Sequence, residues 1–402
     1  MTNGKADMEL DLTKTQAAAT HTGRTAIAIL ALSLLQTHAN AASAGLAQIG
    51  RAFPGLSQTT VSLVLTTVAI SIVPAMLIAG ALAARIGEKR LVLAGFGMAM
   101  TFGLLSFFIQ DFGLLLAARA LTGFGAGLIS PFQASLIPRH FEGYAAHRLF
   151  GLQSAAVSLL GIFFGLAGGV LSALRWNYGF LVYLIAIPGI VLIARWLPDD
   201  RVRDTTGDAP RKPFRFTPML GYLTGMHFLF SLLQFQFVAG IAYLLVDTGT
   251  GDAGTAGTCV AIFSLGAFLS SMTYGKIQHK FGFSAVPVAL AIGAAGLLLI
   301  GAGSGLPLYF AGSFATGSSL GIVMPSVGNR VTTAYRDSNP SLAIAIPMGA
   351  FFSSQLLSPF ILRQAVVLPG GDTEAGRFIY AGIGMLLLAL VVMSTWKKGL
   401  ST

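Results

Sequence analysis

Polar side chains interrupt two long apolar stretches of the chain, and their types suit the recognition of a solute. The spacing i, i+3, i+4, i+7 predicts a single helical face for Ser33, Gln36, Thr37 and Asn40. Ser231 and Gln234 repeat the pattern in a later stretch. Lipid leaves hydroxyl and amide groups unsatisfied, so such a face lines a wet cavity or bonds to a neighbouring helix. The sequence alone leaves both interpretations open.

Arg119 is the one cation that lies well inside an apolar stretch. It follows the start of its segment by about seven residues, or roughly 10 Å at 1.5 Å per residue. An arginine at mid-membrane costs about 2.5–3.5 kcal/mol on insertion scales, so it normally faces a cavity or a partner. Thr122, Ser130 and Gln133 continue a polar face. We predict an anion-binding role, and the alternative is an arginine that extends to the membrane surface.

Proton transfer near neutral pH is the chemistry that histidine suits best. His38 and His227 lie in apolar stretches, whereas the 15 Asp and Glu residues fall in tails, loops or segment ends. Of these acids Asp111 and Asp247 come nearest to the membrane. Candidates for proton coupling are therefore His38, His227 and Asp111. At about 100° per residue His38 points away from Gln36 and Asn40, so a buried neutral histidine is the alternative.

The elements that must position these residues are membrane helices. The chain has 402 residues, of which 54% are hydrophobic and 10% are charged, against about a quarter charged in soluble domains. Apolar runs of roughly 18 to 25 residues, the length that crosses a bilayer, recur along the chain. There are twelve, at 24–46, 58–84, 91–109, 113–137, 149–173, 178–197, 217–246, 254–275, 284–302, 307–329, 342–363 and 377–396. The sequence predicts an all-α membrane protein with twelve transmembrane helices.

The distribution of charge predicts orientation rather than nucleic-acid binding. The net charge is +10, and most basic residues fall on one side of the predicted segments. By the positive-inside rule both termini are cytoplasmic, in a multi-pass protein of the inner membrane. The single Cys259 gives neither a disulfide nor a metal site. No segment pairs a nucleophile with a base, so we expect neither an enzyme nor a cofactor.

The chain repeats itself once. "SLLQ" at 33–36 recurs at 231–234, and Gly123, Gly127 and Pro131 match Gly317, Gly321 and Pro325. Ordered matches of this kind indicate internal duplication. A polar, proline-containing stretch separates the copies. The sequence therefore predicts two pseudo-symmetric six-helix bundles, 1–197 and 217–402, joined by a cytoplasmic linker at 198–216. Such halves around a central site are typical of transporters.

Three motifs resemble those of the major facilitator superfamily. "GALAARIGEKR" at 80–90 resembles its cytoplasmic loop signature, "RALTG" at 119–123 its fourth-helix motif, and "GIFFGLAGG" at 161–169 the fifth-helix motif of its drug:proton antiporter branch. Ala84, Thr122 and Leu166 replace the family's Asp, Gln and Pro. The resemblance implies a major facilitator fold whose first, fourth, seventh and tenth helices line a central cavity. It also implies a cytoplasmic gate, alternatively a set of topology-fixing charges, formed by Gly80, Arg85, Gly87, Arg90 and Lys280.

Glycines at i, i+4 spacing predict close helix packing. Gly123 and Gly127 share one face, and Gly161, Gly165 and Gly169 share another. Small residues let two membrane helices approach closely. The run "GFGAG" resembles a phosphate loop only in letters, since no strand precedes it. We predict structural roles for these glycines.

Together these observations predict a secondary active transporter. It moves a small organic, anionic or amphipathic, solute across the inner membrane by alternating access, as a proton-coupled efflux carrier. The alternative is uptake of an organic anion or sugar by symport or facilitated diffusion. The predicted substrate-binding residues are Arg119, Gln36, Asn40, Thr122, Gln234, Gln236 and Phe235. The expected partners are the solute, protons and the lipid bilayer. We expect no binding of nucleic acid, and we expect a monomer.

Overall fold

The computed structural model describes residues 23–141, 143–199, 214–281, 284–335, 340–367 and 373–399, and the regular elements in these ranges are helices. We number the helices of the predicted membrane segments α1 to α12. Their bounds are α1 Gly23–Ala44, α2 Leu63–Ile86, α3 Glu88–Phe108, α4 Phe112–His140, α5 Gly143–Leu174, α6 Tyr178–Trp196, α7 Pro218–Asp247, α8 Ala253–Phe281, α9 Ala285–Ala302, α10 Leu306–Ala334, α11 Pro340–Val367 and α12 Glu374–Gly399. Two short helices, Leu46–Ala52 and Gln58–Val61, connect α1 to α2.

The helices confirm an all-α membrane protein. Eleven of them, within the described residues, are long and apolar enough to cross a membrane. The remaining one, α2, falls short of that length, since it contributes only the shorter apolar stretch Leu63–Ala79. Each of the predicted segments corresponds to one helix, while the count of twelve spans rests on that shorter stretch.

Equivalent glycines hold equivalent helix pairs together in the two parts of the chain. A Cβ added at Gly127 of α4 would lie 2.5 Å from the carbonyl oxygen of Ile72 in α2. A Cβ at Gly321 of α10 would lie 2.3 Å from the carbonyl oxygen of Ala267 in α8. The repeated sequence therefore forms repeated packing, α4 on α2 and α10 on α8. The proposed boundaries at 197 and 217 stay a prediction, because 200–213 lie outside the described residues.

Helix α1 is interrupted where its polar residues lie. A 3-10 turn covers Leu32–Leu35, and the α-helix resumes at Ala39. The backbone N–H of Gln36 bonds to Ser33, three residues back. The carbonyl of Leu32, which an α-helix would pair with that N–H, instead accepts a hydrogen bond of 3.2 Å from Nε2 of Gln133 in α4. Side chains that bond to the backbone compete with helix formation in this way.

The interruption corrects the helical-wheel argument for residues 33–40. With the helix broken at Gln36–His38, a constant turn per residue no longer says where His38 points. The repeat in the second half behaves differently, because α7 runs unbroken from Pro218 to Asp247. Two copies of a similar sequence thus form one broken and one continuous helix.

Gly127→Ala should destabilise the protein, because the new methyl group would meet backbone atoms of α2 that cannot rotate away. We expect a loss of about 1–3 kcal/mol, the usual cost of overpacking, seen as a lower unfolding temperature in detergent. Gly97→Ala is the matched control, since nothing lies within 4 Å of the added Cβ on helix α3. Equal unfolding temperatures for the two variants would contradict the close approach of α4 to α2.

Candidate functional site

The two halves of the chain pack closely toward one end of the helices, which we call the distal end. It comprises the C-terminal halves of α1, α5 and α7 and the N-terminal halves of α2, α8 and α12. In α5 the glycines predicted to pack closely face α8 of the other half. A Cβ at Gly169 would lie 2.6 Å from the carbonyl oxygen of Ala253, and one at Gly165 would lie 3.0 Å from that of Gly257. A Cβ at Gly161 would lie 2.7 Å from Oγ of Ser264.

The polar residues of α1 link α1 to α5 and to the second half. Asn40 Nδ2 donates to Oγ of Ser264 in α8 at 3.3 Å, and Thr37 Oγ1 donates to the carbonyl of Val157 in α5 at 3.4 Å. Ser43 Oγ donates to the carbonyl of Val238 in α7. Gln36 differs from these, because its side chain is exposed inside the candidate span. A wet opening therefore fits Gln36 better than lipid does.

Arg119 is completely buried inside the first half. Its Nε donates to the carbonyl of Val64 in α2 at 3.2 Å, and Nη1 donates to the hydroxyl of Tyr183 in α6 at 2.6 Å. The guanidinium also lies 5.4 Å from the ring centre of Phe180. Nη2 has no hydrogen-bond partner, and no carboxylate of the described residues lies within ion-pair distance of Arg119. The protein thus holds a buried positive charge that its described acids do not neutralise.

His38 adjoins this cation. Its Nδ1 contacts the carbonyl of Leu35, its ring centre lies 5.4 Å from that of Tyr183, and Nε2 has no partner. The structure therefore brings His38 and Arg119 together around Tyr183, which sequence reasoning did not foresee. Thr122, the other predicted residue of α4, is buried and donates to the carbonyl of Ala118 on its own helix.

The predicted residues of α7 are bound within the second half. Gln234 Nε2 donates to the carbonyl of Thr316 at 2.9 Å, and Phe235 is buried beside it. His227 has Nδ1 3.2 Å from the carbonyl of Pro347 and Nε2 3.1 Å from the sulfur of Met324. The α7 face therefore differs from the α1 face, whose Gln36 is exposed.

A family model of the Major Facilitator Superfamily matches residues 17–250. The chain belongs to this superfamily. It is 29% identical over 267 residues to the 3-(3-hydroxy-phenyl)propionate transporter of Escherichia coli, covering 62% of this chain and 64% of that one. It is 34% identical over 136 residues to the multidrug efflux pump LfrA of Mycolicibacterium smegmatis, covering 32% of this chain and 27% of the pump. The chain thus spans less than two thirds of either relative.

Solved structures agree with the fold. The human organic anion transporter MFSD10 superposes with a TM-score of 0.67 at 17% identity, over 92% of this chain and 99% of that one. The major facilitator fold is therefore confirmed. The family and its structural neighbours are membrane transporters, which also confirms the prediction of a transporter rather than an enzyme.

The residues that resemble the family's loop signature lie at the end opposite the distal end. Arg85, Arg90 and Lys280 are exposed, and Lys280 Nζ lies 5.3 Å from the ring centre of Phe281. Gly80 lies within α2, and Gly87 joins α2 to α3 with φ +93°. A positive φ of this size favours glycine. Asp111, at the start of α4, is also exposed. Its carboxylate caps α4 by accepting a hydrogen bond of 2.8 Å from the backbone N–H of Leu114.

Sequence reasoning missed Glu374 and Arg377. Asp111 and Asp247, the acids expected nearest the membrane, are exposed, whereas Glu374 is only 4% exposed and begins a candidate span. Glu374 lies 2.5 Å from Arg377 and accepts from Nε2 of Gln236 at 3.0 Å. Hydropathy predicts that this segment begins at 377, which places Glu374 in a loop. The i, i+3 spacing of Glu374 and Arg377 is the feature of the sequence that could have revealed this buried pair.

Arg119→Met should fold nearly as well as the unaltered protein. It removes two hydrogen bonds, but it also removes a dehydrated charge that no described acid neutralises, and such exchanges are often neutral. Arg119→Ala should cost about 2–5 kcal/mol, because it opens a cavity as well. Unfolding temperatures in detergent separate the two. A methionine variant as unstable as the alanine variant would mean that the bonds to Tyr183 and Val64 are the main support of the bundle.

Proposed function

We propose that this transporter is a secondary active carrier that moves a small organic, anionic or amphipathic, solute across the inner membrane by alternating access. Proton-coupled efflux is the proposed mode. The observation that carries the proposal is the exposed Gln36 at the interruption of α1. Broken membrane helices expose backbone and side-chain polar groups, and transporters use them to bind solutes near the centre of the bilayer.

The first half supplies the proposed solute contacts. Gln36 is the direct contact, and Asn40 lies next along the path at the junction with α8. Three other predicted residues are hydrogen-bonded or buried inside the second half: Gln234, Gln236 and Phe235. We therefore assign them to the wall behind the solute path. Thr122 bonds to its own helix and also belongs to that wall.

The charge of Arg119 favours an anionic solute. Arg119 is completely buried. It therefore acts on a solute in the path through its electric field rather than by direct contact. A field inside a membrane protein is weakly screened, since little water surrounds it. His38 lies in the break in α1, and its ring adjoins that of Tyr183, which itself bonds to Arg119. An anion bound at the break would therefore be attracted by a charge that otherwise has no counter-ion among the described residues.

Several features support efflux and indicate which end of the protein faces outward. Relatives include the multidrug efflux pump LfrA, and the fifth helix carries the motif that resembles drug:proton antiporters. With both termini cytoplasmic, the distal end faces outward, and its close contacts correspond to a state closed on that side. His38, His227 and Asp111 are the proposed proton carriers. His38 is favoured, because its Nε2 has no partner in the structure.

The alternative is uptake of an organic anion or sugar by symport or facilitated diffusion. The similarity to a 3-(3-hydroxy-phenyl)propionate transporter favours it, because that match covers more of this chain than the match to the efflux pump. Both modes would use the same path through the protein. They differ in direction and in the response to a proton gradient.

Gln36→Ala should weaken solute binding without loss of stability. Purified protein is titrated with 3-(3-hydroxyphenyl)propionate, its neutral amide and a cationic dye, and binding is followed by thermal shift. We expect the carboxylate to bind best and the variant to lose about tenfold in affinity, the effect of one hydrogen bond to a charged group. Gln110→Ala, which removes an exposed glutamine at the end of α3, is the control. Preference for the dye, or equal affinity in both variants, would contradict the assignment.

His38→Gln should abolish proton-driven transport. The protein is reconstituted in vesicles with an imposed pH gradient, and movement of the preferred solute is measured. A histidine near an anion can titrate close to neutral pH, whereas a glutamine amide cannot. If the gradient drives both proteins alike, the proton follows another route. If it drives neither, the protein is a uniporter and the efflux mode is wrong.

A further inference from the structure

A glutamine of the first half and its counterpart in the second half have different surroundings. The repeat that aligns 33–36 with 231–234 places Gln36 opposite Gln234. Gln36 is exposed inside its candidate span. Gln234 is only 4% exposed and donates to the carbonyl of Thr316. The two side chains are identical, so the difference arises from the helices that carry them.

A side chain of α4 occupies the backbone of α1 at the interruption. Nε2 of Gln133 donates to the carbonyl of Leu32 at 3.2 Å. An α-helix would pair that carbonyl with the N–H of Gln36, which bonds instead to the carbonyl of Ser33 at 3.0 Å. Gln133 is itself fixed, because its backbone carbonyl accepts a 2.9 Å hydrogen bond from Nε2 of Gln153 in α5. The donor therefore has a set position beside the interruption.

The second half lacks this donor at the equivalent position. The repeat that matches Pro131 with Pro325 places Val327 of α10 opposite Gln133 of α4. Val327 is completely buried, and its side chain has no hydrogen-bond donor. Helix α7, which corresponds to α1, is continuous from Pro218 to Asp247. The half with a glutamine at this place has the interrupted helix, and the half with a valine has the continuous one.

A single donor can decide between the two backbone forms, because they differ little in hydrogen bonding. A 3-10 turn pairs each N–H three residues back and an α-helix pairs it four residues back, so conversion exchanges bonds rather than losing them. The carbonyl of Leu32 is buried with its residue. Without Gln133 that carbonyl would lose its partner, at a cost of about 1–3 kcal/mol. The N–H of Gln36 can replace the lost donor only if the α-helix continues through the interruption.

We propose that Gln133 is a positioning residue of the solute path, whose side chain keeps α1 interrupted and thereby presents Gln36 to the solute. The inference rests on the proposed function, in which Gln36 is the direct contact. Gln133 bonds to the backbone of α1 and acts on the solute only through it. Val327, at the equivalent place, leaves α7 continuous and Gln234 in the wall.

The first test measures the exposure of position 36 without any solute. Gln36→Cys in a Cys259→Ala background is alkylated with N-ethylmaleimide, with and without Gln133→Met, which removes the donor at nearly constant volume. We expect Gln133→Met to slow alkylation about tenfold, the effect of one hydrogen bond on the balance between the two backbone forms. A continuous helix would turn position 36 inward, as it does Gln234. An unchanged rate overturns the proposal.

Ser106→Ala is the matched control for the loss of a hydrogen bond to a carbonyl in the first half. The hydroxyl of Ser106 is buried and donates to the carbonyl of Phe102 on its own helix, α3, at 3.0 Å. Its removal should leave the alkylation rate at Gln36→Cys unchanged. Equal slowing by Ser106→Ala and Gln133→Met would mean that position 36 responds to any weakening of the bundle, and it would overturn the proposal.

Solute affinity separates a positioning residue from a structural one. Gln133→Met, Gln36→Ala and the double variant are each titrated with 3-(3-hydroxyphenyl)propionate. If Gln133 acts through Gln36, each single variant loses about tenfold in affinity. The double variant then loses no more than either single one, because the two residues support the same contact. Losses that multiply overturn the proposal, since Gln133 would then act on binding independently of Gln36.

Two further outcomes are decisive. Gln133→Leu is the second variant where Gln133→Met does not fold, and failure of both to fold makes Gln133 a structural residue and overturns the proposal. Slower alkylation of Gln36→Cys in Gln133→Met, together with unchanged affinity in Gln36→Ala, contradicts the solute contact itself. That result overturns the proposed function and leaves Gln133 only as the support of the interruption.

Discussion

The lack of water inside a membrane is the constraint on which this structure depends. Every polar group placed there needs a partner within the protein, and the two halves meet that need in different ways. In α7 the polar side chains of Gln234 and His227 bond to α10 and α11, and the helix stays continuous. In α1 the backbone carbonyl of Leu32 accepts a hydrogen bond from the side chain of Gln133 in α4, and the helix is interrupted there. The same constraint thus goes with a continuous helix in one half and an interrupted helix in the other.

The buried charges follow the same logic with opposite outcomes. Arg377 lies beside Glu374, so each of these two buried charges of the second half has an opposite charge next to it. Arg119 has only a tyrosine hydroxyl, a carbonyl and two aromatic rings, all within the first half. A buried charge without a counter-ion raises the energy of the protein around it. That energy has a use if a transported anion relieves it, which links the stability of the first half to the chemistry of the solute.

The sequence predicted the fold well because the fold depends on length, hydrophobicity and repetition. Apolar runs located each helix, and the matched pairs Gly127 and Gly321 anticipated the matched packing of α4 on α2 and α10 on α8. The site was less predictable. Periodicity assumes a continuous helix, so it could not place His38 once Gln133 had captured the carbonyl of Leu32. Hydropathy likewise began α12 after Glu374, because a carboxylate lowers the local average whether or not an arginine one turn later neutralises it.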